Sequence, residues 1–224
     1  MPPVKNVGEP CAGEPHARFD GGREETSDSR PRRATPGASR LPDQPPGVHA
    51  ELARVRITRR DDCGEQCRSL LHVATDWPGH FPNAKEIIRV LIAGGADVNA
   101  RFAGAHSETP LHWAASSDDV EVLDALLDAG AELEADGSVI DRGTALADAV
   151  AFGQWRAARR LLERGATPNR WQAAALGQIR RIQELVDAPA RPASEEITNA
   201  FWSACHGGQR QTAEHLLAHG ADIN

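Results

Sequence analysis

Residues 109–115 read TPLHWAA, a threonine and a proline followed by a histidine among apolar neighbours. A threonine at a helix N-cap accepts a backbone N–H of the first turn, and proline at the first helical position has φ already set and needs no hydrogen bond. Thr109 and Pro110 therefore predict a helix start, with Leu111, Ala114 and Ala115 on the core face and the alanines small enough for close helix approach. His112 in this setting reads as a structural histidine rather than a ligand or a base.

The phrase recurs in altered form. LLHVAT from Leu70, GTALADAVAF from Gly143, WQAAAL from Trp171 and NAFWSAC from Asn199 open similar units, and VLIAGGADVN, ALLDAGAELE, RLLERGATPN and HLLAHGADIN close four of them. The glycines of these closing phrases, Gly95, Gly130, Gly165 and Gly220, stand 35, 35 and 55 residues apart. The long interval holds one worn copy, QAAALGQIRRIQELVDA, from Gln172 to Ala188. A period of this length signals a solenoid of stacked units. Each unit continues into a second helix with apolar side chains at helical spacing, as at Val120, Leu123, Leu126 and Leu127.

The TPLHxAA and LLxxGADxN phrases, matched almost letter for letter from Thr109 to Glu132, resemble the ankyrin repeat, and most closely bacterial ankyrin-repeat proteins. The resemblance implies an all-α solenoid in which each unit is a pair of antiparallel helices followed by a projecting hairpin loop. Five units fit, over 69–101, 109–135, 143–167, 168–188 and 199–224. It further implies that the imidazoles of His112 and His72 hydrogen-bond backbone of neighbouring hairpins. Ala147 and Trp202 at that position in two other units leave no histidine row for a metal. The hairpins ARFAGAHSE and ADGSVIDRG should each carry two extra residues, and between Ala166 and Trp171 there is scarcely room for a hairpin, so a regular stack is in doubt there.

Composition bounds the rest. Nine of the 15 prolines and six glycines fall in residues 1–50, which predicts a disordered Pro/Gly/Arg-rich arm, with residues 51–68 as a lead-in helix, centred on HAELARVRI, and a turn. Residues 1–60 hold 11 Lys+Arg against 8 Asp+Glu, and residues 61–224 hold 14 against 24. So acidic a body repels phosphate backbones, which argues against nucleic acid. No apolar run approaches the roughly 20 residues of a membrane span and the first 30 residues lack a secretory h-region, so a cytoplasmic protein with no membrane partner is expected. Two lysines, no tyrosine and abundant Ala, Arg, Gly and Pro suit a GC-rich bacterial genome. The four cysteines are too scattered for a disulfide framework, and Cys63 and Cys67 behind His49-Ala50-Glu51 miss the spacing of a zinc deaminase. Neither a cofactor, a metal site nor a catalytic set is expected.

A protein partner is therefore the expected ligand, bound on the concave face that the resemblance assigns to hairpin tips and first helices. Ser116, Ser117 and Phe152 are carried to that face, and Arg101, Phe102, His106, Asp141 and Arg142 to the hairpins beside it. Trp113, Trp155 and Trp202 read as core. DWPGHFPN, residues 76–83, is inserted between the helices of the first unit; its Asp76, Trp77 and Phe81 either cap the solenoid's open end or present a recognition surface, capping being preferred. The rival reading is an enzyme or metal protein whose site combines this insertion with His106 and Glu108. GADIN stops where a hairpin and another unit would normally follow, so part of the apolar surface of Ala204, Leu216, Leu217 and Ile223 is expected to lie open: either the chain is a truncated form of a longer protein, or this end is a second binding or self-association surface.

Overall fold

The computed structural model describes residues 51–61, 64–188 and 192–223. The arm over 1–50 and Cys63 lie outside the described residues. Within them the units form helix pairs: α1 (Leu70–Thr75) with α2 (Ala84–Ala93), α3 (Pro110–Ser116) with α4 (Val120–Asp128), α5 (Ala145–Ala151) with α6 (Trp155–Glu163), α7 (Arg170–Ala175) with α8 (Ile179–Val186), and α9 (Ser194–His206) with α10 (Arg210–Ala218). First helices stack on first helices along the chain, α1 on α3, α3 on α5, α5 on α7 and α7 on α9.

The second helices show how the sequence produces this. In α4, Asp119 is the N-cap and accepts the Val122 N–H at 3.3 Å, while Val122, Leu123 and Leu126 recur one turn apart and are fully buried. Burying each such side chain contributes about 1.5–3 kcal/mol, enough to hold a nine-residue helix that would not persist alone. The alanines of the first helices, Ala114, Ala115, Ala149 and Ala175 among them, are wholly buried and set the close approach of neighbouring units. Closest of all is α9 on α7, where a Cβ at Gly207 would collide with the Ala175 carbonyl.

The lead-in differs from the sequence reading. Helix is confined to residues 51–53, and β1 (Arg56–Asp61) pairs antiparallel with β2 (Gly64–Ser69), Arg56 opposite Ser69. Val55, Ile57 and Thr58 favour extended backbone once a partner strand exists, and a local propensity reading had no view of that partner. Arg56 fixes the ribbon to the first unit's loop, donating to the Arg101 carbonyl at 2.6 Å and the Cys67 sulfur at 3.1 Å, and Cys67 forms a backbone bridge with Ala103.

The apolar core divides at the fourth unit, which follows the short Ala166–Trp171 link. Ala175 packs with the apolar residues of the first three units, whereas Ala173 and Ala174 pack with Ile182, Ile197, Ala204 and Leu216 in a separate cluster. Ala204 and Leu216 are thus core residues rather than open surface, while Leu217 and Ile223 are exposed. Trp202 is also exposed, at 58%, because it projects away from the helix pair; Trp155 is only half-buried, its ring 5.3 Å from that of His206.

Candidate interaction surface

The two repeated histidines are completely buried and make the same set of contacts. The Thr109 N–H donates to His112 Nδ1 at 3.1 Å, the Thr109 hydroxyl lies 2.9 Å from the same nitrogen, and His112 Nε2 donates to the Gly143 carbonyl at 3.4 Å. Likewise Ser69 N–H and hydroxyl meet His72 Nδ1 at 3.3 and 2.8 Å, and His72 Nε2 donates to the Glu108 carbonyl at 3.1 Å. Thr109 is the N-cap of α3 and forms a capping box with His112, and its hydroxyl also contacts the imidazole. An Nδ1 that accepts a backbone N–H carries no proton, so both rings are neutral Nε2–H tautomers. Burial agrees, pushing both histidines down to about 4. In the fourth unit Gln172 takes the role, its Oε1 accepting the Asn169 N–H at 2.8 Å.

Glu108 is the hub of the hairpin side. Its carbonyl accepts His72 Nε2–H and the Phe102 N–H, Oε1 accepts the Val139 N–H at 3.0 Å, and Oε2 accepts Trp113 Nε1–H at 2.8 Å. His106 Nδ1 stands 3.1 Å from Oε2, and its ring stacks on Phe102 with centroids 4.3 Å apart. Asp148, fully buried on α5, accepts the Ser138 hydroxyl on Oδ1 and has no partner for Oδ2. Burial, reinforced by the Glu108 charge, holds the Asp148 carboxyl well above the usual carboxylate range. A proton on Asp148 removes the repulsion between its buried carboxyl and the Glu108 charge. The acid in ALADAVA, at the position Trp113 occupies in TPLHWAA, was the available sequence signal for Asp148; nothing marked Ser138.

The expected binding residues fall into separate places. Arg101 is held at the loop beneath the hairpin tip by ion pairing to Asp136 at 3.0 Å and donation to the Ser107 carbonyl. Phe102 is buried and His106 half-buried in the aromatic cluster with Trp113 and His72, so neither offers a free contact face. Asp141 and Arg142 are exposed at the next hairpin, both at positive φ (54° and 53°), beside exposed Val139. Ser116 donates to the His112 carbonyl and Ser117 is buried. Phe152 does not converge with the hairpin residues: it terminates α5, one helix of about 10 Å away from Gly143, on the opposite edge formed by the helix–helix turns.

The insertion lies on that same edge. Gly79, at φ 72°, is buried against Ser117, where a Cβ would come within 2.6 Å of the Ser117 Cβ, and the His80 N–H donates to Asp119 Oδ2 at 2.7 Å. DWPGHFPN thus docks on the second unit's turn instead of covering the end of the first, leaving Trp77 and Phe81 exposed; Asp76 pairs with Arg68. The cleft beside it is about 220 Å³ and lined by His80, Phe81, Lys85, Asp119 and Arg156. Asp119 is already bound through both oxygens. No three His, Cys, Asp or Glu side chains are placed to hold a metal among the described residues.

Comparison with known families matches residues 71–170 to three copies of the ankyrin repeat. The match ends at the short link where the apolar core divides. No curated protein matches the chain.

Proposed function

We propose, from the match of residues 71–170 to three ankyrin repeats, a class whose repeats generally mediate protein–protein interaction, that this chain binds a protein partner through its hairpin side without catalysis. One observation carries the choice of face: beneath the tips the carbonyl and both carboxylate oxygens of Glu108 and the ring nitrogens of both histidines are engaged in bonds within and between units, whereas Val139, Asp141 and Arg142 are exposed on a loop braced by the Gly137 N–H to Arg142 carbonyl bond at 3.2 Å and the Ser138 N–H to Gly143 carbonyl bond at 3.0 Å. A contact surface held in shape before binding loses little ordering entropy on association. The proposal keeps the chain in the bacterial cytoplasm, consistent with the absence, among the described residues, of any helix long and apolar enough to cross a membrane.

The test is a partner captured on the immobilised chain and measured against variants. Asp141→Lys with Arg142→Glu should weaken that partner at least tenfold while leaving the thermal midpoint unchanged, because both side chains are exposed. Indifference of the partner to this pair and to Val139→Ala would contradict the hairpin assignment.

A further inference from the structure

The joints between units reuse the same sequence positions, and the first and fifth units hold apolar side chains exposed at those positions. Forward along the stack, His72 and His112 reach the next unit through the Glu108 and Gly143 carbonyls, while Leu127 and Leu133, three residues before and after Gly130, pack against the shared core. In the fifth unit Trp202 stands at the histidine position, with Leu217 and Ile223 three residues before and after Gly220. All three are exposed, Trp202 at 58% and Ile223 at 62%. Backward along the stack, the Trp113 ring lies 5.0 Å from that of His72, and Arg160, five residues before Gly165, pairs with Asp124 of the preceding unit. Val122 and Ala157, eight residues before Gly130 and Gly165, are buried. The first unit has Val73, Val90 and Ile87 at these three positions, all exposed, Val90 at 67%. The lead-in touches this unit through Arg54 on the Gly95 carbonyl, and the 76–83 insertion docks on the second unit's turn, and neither covers Val90.

We infer that the forward face of the fifth unit docks on the backward face of the first unit of a second copy, joining chains head to tail through one more joint of the kind that holds the units together. Continuity with that joint selects the occupant, because each face is one half of an interface the chain already forms, and a second copy supplies the other half in the same register. The charges agree. Where α4 and α6 meet through Asp128 and Arg164, the two faces carry Ala218 and Gly94, and Glu214, the counterpart of Asp124, is paired with Arg210 at 2.7 Å. The new joint is therefore apolar rather than ionic, and exposed apolar surface of this kind marks an interaction site. Two different faces meet, so the contact is heterologous and extends beyond a pair of chains unless it closes into a ring. This inference does not rest on the hairpin-side reading, since neither face includes Val139, Asp141 or Arg142.

The experiment is sedimentation of the full chain over about 1–200 µM, the range that reads a micromolar association. The average mass of the parent should rise with concentration beyond that of two chains. Trp202→Glu and Val90→Glu should each weaken association at least about tenfold. Mixed in equal parts, these two variants should recover association as pairs and no further, since one keeps an intact backward face and the other an intact forward face. Ile223→Glu and Ile87→Glu serve as the second complementary pair if either of the first fails to fold by circular dichroism. Asp141→Lys with Arg142→Glu should associate as the parent does. A parent that stays a single chain throughout overturns the inference, as does a mixture that associates no better than its two components. Val90→Glu pairing with itself while Trp202→Glu does not would replace the head-to-tail joint by contact between two fifth units, and loss of association in the hairpin variant would move the contact off both faces.

Discussion

Replacing His112 by alanine tests how the units are joined. The substitution removes the acceptor of the buried Thr109 N–H and the donor to the Gly143 carbonyl. A buried polar group left without a partner costs about 1–3 kcal/mol, so two such groups predict a loss of about 2–6 kcal/mol. That is a large part of the roughly 5–15 kcal/mol that holds a domain folded. At about 2–4 °C per kcal/mol for a chain of this size the thermal midpoint should fall by roughly 4–24 °C. The assay is urea and thermal unfolding at pH 7.5, followed by circular dichroism, with His80→Ala as control because that side chain is half exposed and comes no nearer than 4.0 Å to Asp119. The control should lose less than about 0.5 kcal/mol. Grafting the fourth unit's solution, His112→Gln with Thr109→Asn, should restore much of the loss, as Gln172 and Asn169 make the equivalent bond. A His112→Ala chain as stable as the control would refute the account of the histidine as the link between units.

Protonation provides further tests. With folded values near 4 against 6.5 unfolded, His72 and His112 contribute stability that is present above pH 6.5 and lost as pH falls toward 4, about 3 kcal/mol each at most. His112→Gln should therefore narrow its deficit relative to the parent chain by about that amount between pH 7 and pH 4 in denaturant titrations; a constant deficit would contradict the neutral tautomer. Asp148 has the opposite sign: its raised folded value means stability present below the ordinary aspartate range and lost as pH rises from there. Asp148→Asn, which removes the buried charge, should gain on the parent from pH 5 to about pH 8 and level off above it, and a pH-independent difference would show that the Asp148 carboxyl is not held protonated in the folded chain.

The helix pairs were legible because their signals are local. Thr109-Pro110 opens α3, and apolar spacing at Val120, Leu123, Leu126 and Leu127 marks α4. The short link before Trp171 put a regular stack in doubt, and the apolar core divides at the unit that follows it, a division that the link alone did not announce. What remained hidden depends on contacts distant in sequence. The ribbon of Arg56–Asp61 with Gly64–Ser69 is anchored by Arg56 to a carbonyl 45 residues away, and residues 49–57 read alone are helical. Phe102 is aromatic and lies in a loop, so it looked like a contact residue; Trp113 and His72 bury it. Phe152 follows an alanine-rich helix like any position of the first-helix face, but it falls at the helix end, where the chain turns away from the hairpins. Glu108 precedes TPLHWAA and carries no motif of its own, yet it ties the first two units to the hairpin that follows them.

Hydrogen–deuterium exchange on the chain alone and saturated with its captured partner tests most directly whether the hairpin side is the binding face. The account predicts new protection over residues 136–143, centred on the exposed Val139, Asp141 and Arg142, with helices α3 and α5 already slow in the free chain because their amides lie in the buried stack. Protection confined to residues 76–83 and the turn at Phe152, with 136–143 unchanged, would contradict it and place the partner on the opposite edge of the solenoid.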